Sequence, residues 1–448
     1  MTPTPAEPSS AVTPGGGISS LPFAPTVLPS DGPLERVMLL HLVGTFCLGT
    51  AIATPYILPF LARERFGANN WQTTVLTAAV PVTQFASIFW NRLYARVSTR
   101  TYLATIATCA CIPIALLAAA QNIWHVMILF VVAACGGTAG VAAMAPLNGD
   151  LLQTCYASVR RGRIFGVICA AQFLATMLAG LGMGLWLDHD RDAFRLFFPI
   201  LAGCMALGLL SYARISSKPF WTARHRAPQP LSSSWFSPLR AMREILKKDR
   251  RFAGYEAAFM SYGIGWMICT ALIPAIATDK LHLNYTEYSQ ATVVIYQLTT
   301  IVLLMPMGRV ADKLGSIQLA AVSFLWLTLY PIALIFVPAE PTFGLSSATW
   351  LSAFAMIYAI GMVGVQLTWT LGPVSLAGSS AKAPEYLAIH STLVGVRGIV
   401  AQGLGMMLYA LTGSFAWPLA LASAGFAWGS WRMRKLAGDH PSRGPNPT

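Results

Sequence analysis

A few ionisable residues lie inside apolar stretches of the chain, where a charge is costly and usually marks a ligand, ion or proton site. They include Glu256, His390, Arg397 and the shallower His41. An arginine binds anions through a planar fork, and a glutamate or histidine can exchange a proton. We therefore interpret Arg397 as an anion-binding or coupling residue, and Glu256 or His390 as a proton carrier. In the structural alternative, Arg397 pairs with a carboxylate or with backbone carbonyls and holds helices together.

The depth of these residues follows from helical rise. At 1.5 Å per residue, Arg397 lies about 16 Å along its helix from Tyr386, near the middle of a hydrocarbon core about 30 Å thick. His390 precedes Arg397 by seven residues and so lies on nearly the same face, nearer the start of the helix. Glu256 is expected about one turn inside the membrane. His41, near the start of the first apolar run, is expected at the interface.

The composition sets the kind of element that must position these residues. Of 448 residues, 55% are hydrophobic and only 10% are charged, against about a quarter charged in soluble domains. Long apolar runs in such a chain predict an all-α membrane protein. Twelve runs of spanning length occur near 37–61, 72–91, 102–120, 125–149, 164–187, 196–213, 253–277, 289–307, 317–337, 350–377, 386–412 and 415–431.

Polar segments divide the runs into two groups of six. Residues 1–35 are rich in Pro, Ser, Thr and Gly and are expected to form a disordered tail, and 432–448 form a second tail. The runs then fall into an N-terminal bundle, 36–213, and a C-terminal bundle, 253–431. The basic segment 214–252 is the linker between them.

The second part of this linker predicts an amphipathic helix lying on the membrane surface. Between Pro238 and Phe252, apolar residues recur at helical spacing beside Arg and Lys. These apolar residues are Leu239, Met242, Ile245 and Leu246.

The distribution of positive charge explains the formal net charge of +13. With the amino terminus inside, 24 of the 30 Lys and Arg residues fall on the cytoplasmic side and five on the external side, and Arg397 is the remaining one. This asymmetry predicts that both termini are cytoplasmic. The charge then reflects topology and contact with membrane lipid, so no nucleic-acid partner is expected.

One short motif stands between the eighth and ninth apolar runs. It reads Gly308-Arg-Val-Ala-Asp312-Lys313-Leu-Gly315, and its two glycines suit a tight turn and close helix approach. A weaker copy, from Asn91 to Ser98, lies 217 residues earlier, with Ala95 in the place of the aspartate. The motif resembles the cytoplasmic loop signature of the major facilitator superfamily, and its repetition indicates a duplicated architecture.

This resemblance implies two pseudo-symmetric six-helix bundles that move a solute by alternating access. It also implies that the first, fourth, seventh and tenth helices line a central cavity. On those runs, Trp266, Gln366 and Trp369 are the candidates for solute contact. A cavity with few charges and several aromatic residues suits a small organic solute, either anionic or amphiphilic.

The resemblance further implies a gate at the cytoplasmic face, where each motif abuts the start of a helix from the other bundle. Asp312 is expected beside Arg161 and Arg163, because the N-terminus of a helix favours an anion. In the degenerate copy, Glu385 supplies the anion and Arg92 or Arg96 is its partner. The gate prediction therefore comprises Gly308, Asp312, Lys313, Gly315, Arg92, Arg96, Arg161, Arg163 and Glu385.

We therefore predict a monomeric secondary transporter in a bacterial-type cytoplasmic membrane, coupled to protons, with uniport left open. The alternative is a transport-inactive sensor or assembly factor for another membrane complex, which the degenerate first copy keeps open. No enzymatic activity, cofactor or metal is expected. The acidic stretch Asp188–Asp192 is interpreted as a solvated loop, and the glycines of 180–184 as sites of close helix packing.

Overall fold

The computed structural model describes residues 34–85, 90, 93–94, 96–136, 141–156, 158–215, 237–377 and 382–438. These residues are predominantly helical and form no sheet. In chain order the helices are α1 (Leu34–Ile52), α2 (Thr54–Phe66), α3 (Asn70–Phe85), α4 (Thr99–Ile106), α5 (Ile112–Leu116), α6 (Ile123–Cys135), α7 (Val141–Cys155), α8 (Ser158–His189), α9 (Phe194–Ala213), α10 (Ser237–Lys248), α11 (Arg250–Ala275), α12 (Tyr285–Ser289), α13 (Ile295–Leu314), α14 (Ser316–Leu327), α15 (Leu329–Ile335), α16 (Ser347–Leu376), α17 (Ala383–Thr412) and α18 (Ala416–Gly438).

Several membrane-length segments consist of more than one of these helices. α1 and α2 meet at Ala53, because Pro55 near the start of α2 lacks a backbone N–H. The π-helical turn Gln290–Val294 joins α12 to α13, and Ile276–Lys280 extends α11 in the same way. Each of these segments is still one helical stretch that is long and apolar enough to cross a membrane.

Nine helical segments among the described residues are long and apolar enough to cross a membrane. The predicted count of twelve is therefore not confirmed, and the difference lies in three of the runs. α3 has only 16 residues, and the predicted fourth run is described as two shorter helices, α6 and α7. α18 has 23 residues but ends in Arg432, Arg434 and Lys435.

The two bundles, here called the N-terminal half (34–215) and the C-terminal half (237–438), meet along α8. A Cβ atom placed on Gly180 would lie 2.7 Å from Cγ1 of Val293, and one on Gly184 would lie 2.8 Å from the backbone oxygen of Tyr285. These glycines therefore allow α8 to approach the α12–α13 segment closely, as close helix packing requires. A second contact between the halves runs between α3 and α17.

The motif around Asp312 differs from the predicted turn. α13 continues as far as Leu314, and a Cβ atom on Gly308 would meet nothing within 4 Å in the described part of the chain, so this glycine serves neither a turn nor a close approach to the described residues. Gly315 alone breaks the helix, with φ of 76°. The break is therefore one residue wide, and Asp312 lies on the last turn of α13.

The amphipathic helix α10 packs its apolar face against the C-terminal half. Met242 and Ile245 contact a small core that contains Phe252 and Tyr386. α10 ends at Lys248 because Asp249 caps the next helix, accepting a hydrogen bond of 2.9 Å from the backbone N–H of Phe252. The other carboxylate oxygen of Asp249 accepts the Tyr386 hydroxyl at 2.9 Å, which ties α11 to α17.

Candidate functional site

Glu256 on α11 and His390 on α17 form a buried acid–imidazole pair. Nδ1 of His390 lies 3.0 Å from Oε1 of Glu256 and 3.1 Å from Oε2. The two residues are only 3% and 1% exposed, and Nε2 of His390 has no hydrogen-bond partner among the described residues. At these distances the imidazole and the carboxylate are joined by a hydrogen bond. The structure thus brings together the two residues that the sequence suggested as separate proton carriers.

Arg397 lies two turns further along α17, facing α11. Its Nη1 donates a hydrogen bond of 2.6 Å to the backbone oxygen of Phe259, three residues beyond Glu256. The guanidinium also packs directly on Gly263, where an added Cβ atom would clash with it. The residue is 2% exposed. A charge with one backbone partner in so dry a place is poorly satisfied.

Aromatic rings enclose this guanidinium. Its Cζ atom lies 5.5 Å from the ring centroid of Tyr262, 5.8 Å from that of Trp266 and 5.5 Å from that of Trp369. Such contacts favour a cation, by about 2 kcal/mol when desolvated, but they provide no hydrogen-bond acceptor in the guanidinium plane. The enclosure, here called the aromatic box, is defined by Tyr262, Trp266 and Trp369.

One edge of the guanidinium lacks a hydrogen-bond acceptor among the described residues. Nε and Nη2 of Arg397 are buried and have no hydrogen-bond partner in the described part of the chain. These two nitrogens lie on the same edge of the planar group, the arrangement that donates to both oxygens of a carboxylate or phosphate. The box therefore combines a bidentate donor edge with flat apolar walls.

Trp369 connects the box to the Glu256–His390 pair. Its ring centroid lies 4.6 Å from that of His390, with the two planes at 88°. The ring of Phe259 approaches the same imidazole at 4.9 Å. Of the six residues predicted to act on solute or proton, five lie in this cluster: Glu256, His390, Arg397, Trp266 and Trp369.

Gln366, the sixth, lies in a different group. Its Nε2 donates a hydrogen bond of 2.9 Å to the Tyr296 hydroxyl. Tyr296 in turn lies 6.4 Å from Tyr56 and 5.6 Å from Tyr358, between ring centroids. Tyr56 belongs to the N-terminal half and the others to the C-terminal half. The sequence did not single out Tyr56 or Tyr296, because a tyrosine in an apolar helix is most often a packing residue.

His41 was expected at the membrane interface, and the structure shows in addition that it is buried among neighbouring side chains. It is 1% exposed, and its Nδ1 lies 3.1 Å from the Tyr156 hydroxyl. Its ring also packs edge-on against Tyr212, whose hydroxyl lies 2.7 Å from Thr45 Oγ1. Both tyrosines are buried in the N-terminal half. Helical depth alone does not predict their contacts with His41.

At the predicted outer face, an ion pair joins the two halves. Arg63 at the end of α2 contacts both carboxylate oxygens of Asp279 at 2.6 Å. Arg63 also donates to Thr278 at 2.9 Å and to Asn70 at 3.0 Å, and Tyr409 donates to Asp279 at 3.1 Å. We call this group the outer lock.

A second contact between the halves lies on the same face. Asp188, at the end of α8, accepts the backbone N–H groups of Tyr285 and Thr286 at 2.8 Å each. A carboxylate at a helix start is stabilised by the unpaired N–H groups there. Sequence reasoning assigned Asp188 to a solvated loop and missed this contact, since nothing in the local sequence indicates that the other half lies beside it.

Some of the residues predicted to form a cytoplasmic gate have described side chains, and these side chains form no hydrogen bond or ion pair with one another in this conformation. Four of these residues are exposed: Arg96, Asp312, Lys313 and Gly315. The side chains of Arg96, Asp312 and Lys313 have no hydrogen bond or ion pair to another described residue. Arg92 lies outside the described residues. Arg161, Arg163 and Glu385 lie in α8 and α17, but their side chains are likewise outside the description, so these contacts stay a prediction.

A metal site is not indicated among the residues that the structure describes, where no three His, Cys, Asp or Glu side chains cluster suitably. The fold and the buried charges instead define a helical membrane transporter. The family model of the Major Facilitator Superfamily matches residues 38–395, and the chain belongs to this superfamily.

Solved structures with the same fold are distant in sequence. A mutant form of the nucleoside transporter NupG is 13% identical with a TM-score of 0.69, over 90% of this chain and 99% of that one. A POT family transporter in complex with 5-aminolevulinic acid is 14% identical with a TM-score of 0.71, over 90% and 97%. A peptide transporter POT in complex with sulfate is 15% identical with a TM-score of 0.71, over 92% and 96%. Comparison with the curated proteins found no match.

Proposed function

We propose that this chain is a secondary active transporter that moves a small organic anion together with a proton, by alternating access. The main support is the Nε–Nη2 edge of Arg397 inside the aromatic box, which has no hydrogen-bond partner among the residues that the structure describes. The Glu256–His390 pair belongs to the same cluster of side chains. The coarser statement, membrane transport, follows from the superfamily. The substrate class and the coupling are the proposed part.

The substrate class follows from the groups around Arg397. Leaving a buried charge uncompensated costs about 3–5 kcal/mol, so the open edge favours two oxygens of a carboxylate or a similar oxyanion. The flat walls of Trp266 and Trp369 suit an apolar or planar body attached to that group. Two of the similar structures hold 5-aminolevulinic acid, which has a carboxylate group, and sulfate, which is an inorganic oxyanion.

The coupling follows from the charge of the cluster. A proton taken up by the Glu256–His390 pair raises the charge of the cluster by one, whichever of the two residues holds it, and this favours an anion at Arg397. Proton and anion therefore bind with positive cooperativity, and each raises the affinity for the other by the same factor. Cooperative binding of this kind favours movement of proton and anion in the same direction.

Alternating access is supported by the contacts between the halves. The outer lock and the Asp188 contact hold the halves together at the predicted outer face. At the other face, Asp312 and Lys313 are exposed without partners among the described residues. We assign this conformation to the inward-facing side of the cycle. In the outward-facing state the outer lock opens and the predicted cytoplasmic contacts form.

Flux through purified protein in liposomes tests the proposal. A panel of small carboxylates is offered to wild-type protein and to Arg397→Lys, which keeps the charge but lacks the planar fork. Wild type should accumulate at least one of them under an inward proton gradient, and the variant should lose most of that accumulation. Thermal stabilisation by the same compounds is measured in parallel. Stabilisation without flux in wild type would instead support the transport-inactive sensor.

A further inference from the structure

A cleft opens at the predicted outer face of the N-terminal half, away from the aromatic box. Its volume is about 360 Å³, and it lies between the end of α2, the turn before α6 and the start of α9. The rings of Phe66 and Phe194 meet edge to face at its base, 5.5 Å apart. The lining residues are Arg65, Phe66, Ala120, Gln121, Asn122, Ile123, Phe194 and Arg195.

The cleft lies at the depth of the lipid headgroups. Trp124 directly follows the lining residue Ile123, and its ring lies 6.1 Å from that of Trp71, with both side chains more than half exposed. Exposed tryptophans at helix ends mark the boundary between water and hydrocarbon. From this level, exposed apolar side chains continue along the outer surfaces of three helices; they include Leu116, Ile128, Leu196 and Ile200.

The charge at the mouth of the cleft is positive. Asp192 lies 3.0 Å from Nη2 of Arg65 and 3.6 Å from Nε of Arg195. The hydrogen bond from Arg65 holds the pKa of Asp192 below its ordinary value, so this carboxylate is ionised at neutral pH. Two arginines against one aspartate leave one positive charge. Each guanidinium has five N–H donors, and most of these have no partner in the described residues.

We infer that this cleft binds the headgroup of an anionic phospholipid from the outer leaflet, with its phosphate against Arg65 and Arg195 and its acyl chains along the exposed apolar surface below. One phosphodiester carries the single negative charge that the cleft lacks. A guanidinium at headgroup depth is well placed for a phosphate, and the aromatic base accommodates the glycerol end. Asp192 limits the site to one anion by occupying part of both guanidinium groups.

Native mass spectrometry of the full chain in detergent, titrated with dioleoyl phosphatidylglycerol, tests this inference. Phosphatidylcholine with the same acyl chains is the neutral lipid, and glycerol 3-phosphate is the soluble headgroup. Wild type should retain the phosphatidylglycerol in preference to the other two. Arg65→Gln and Arg195→Gln should each weaken retention about fivefold, and Arg191→Gln, a nearby exposed arginine outside the cleft, should leave it unchanged.

Asp192→Asn supplies a test that misfolding does not imitate. It removes the competing carboxylate, so retention of phosphatidylglycerol should rise about fivefold. Equal retention of the neutral lipid would overturn the inference. If glycerol 3-phosphate at equal concentration displaced all of the phosphatidylglycerol, the cleft would be a site for free phosphate groups, and the inference would also be overturned. Retention that falls in Asp192→Asn, or that is equal in Arg65→Gln, Arg195→Gln and Arg191→Gln, would overturn it as well.

Discussion

A single ring nitrogen of His390 faces both carboxylate oxygens of Glu256, at 3.0 and 3.1 Å, across the interface of α11 and α17. The same two helices hold Arg397, which donates to the backbone of Phe259 one turn beyond Glu256. A change in the protonation of the pair therefore alters the field at the unpartnered edge of Arg397. This arrangement places the proton and the proposed substrate close together on one pair of helices.

Glu256→Gln should uncouple transport without abolishing it. A glutamine keeps a hydrogen bond to His390 but cannot be ionised, so the pair loses its proton-dependent charge. Exchange of labelled for unlabelled solute should continue, whereas accumulation driven by a proton gradient should fall at least tenfold. Glu340→Gln, an exposed glutamate in a loop, is the matched control. Gradient-driven accumulation at the wild-type level in Glu256→Gln and His390→Gln would exclude the pair as proton carrier.

Gly263→Ala should impair solute binding. The added methyl group meets the guanidinium of Arg397, which must move away from its position in the aromatic box. The apparent affinity for solute should drop about tenfold or more, while the protein remains folded. Gly403→Ala, on the same helix as Arg397, is the control. A Cβ atom at Gly403 meets nothing within 4 Å among the described residues. Equal effects of the two substitutions would argue against a positioned guanidinium.

Reversing the outer lock should shift the conformational equilibrium. Arg63→Asp and Asp279→Arg, made singly, place like charges together and should favour opening at the outer face. Combining them should restore closure in part. A partly exposed pair contributes about 1 kcal/mol, which is a several-fold change in population. The readout is the labelling rate of a cysteine introduced near Asn70.

The Arg65–Asp192 pair provides the control for this prediction, because it lies within one half. Asp192→Asn should leave the labelling rate unchanged. If single reversals of the outer lock also leave it unchanged, the lock does not hold the halves together.

The predicted cytoplasmic contact should oppose the outer lock. Reversing Glu385 to Arg or Arg96 to Glu is expected to weaken the outward-facing state and to raise the labelling of a cysteine in the cytoplasmic cavity. The double reversal should lower labelling again. Arg92→Glu is tested in the same way as Arg96→Glu. If the effects of the single reversals on labelling simply add in the double variants, the first motif is degenerate and forms no such contact.

The membrane fold and its superfamily could be predicted from the sequence because apolar runs and one loop motif are local signals. Glu256, His390 and Arg397 were also predictable as candidates, because a charge in an apolar run is conspicuous. Their roles stay predictions. The pairing of Glu256 with His390 was not predictable, since it depends on how α11 and α17 align when they pack. The same holds for Tyr56 beside Tyr296, which come from different halves.

One local expectation failed. Gly308 was expected in a turn, yet α13 continues through it to Leu314, and Gly315 alone adopts a positive φ. The burial of His41 against Tyr156 and Tyr212 was not predictable from the sequence, because it depends on how the helices pack.

We propose that Arg397 binds an anion whose entry brings a proton. Liposomes that contain the purified protein and a trapped pH indicator test this coupling directly, on addition of the panel of small carboxylates. At least one carboxylate should acidify the lumen with wild-type protein. Arg397→Lys and Glu256→Gln should each reduce this acidification at least tenfold, while Glu340→Gln should match wild type. Carboxylate flux without any proton movement, or wild-type acidification by Arg397→Lys, would contradict it.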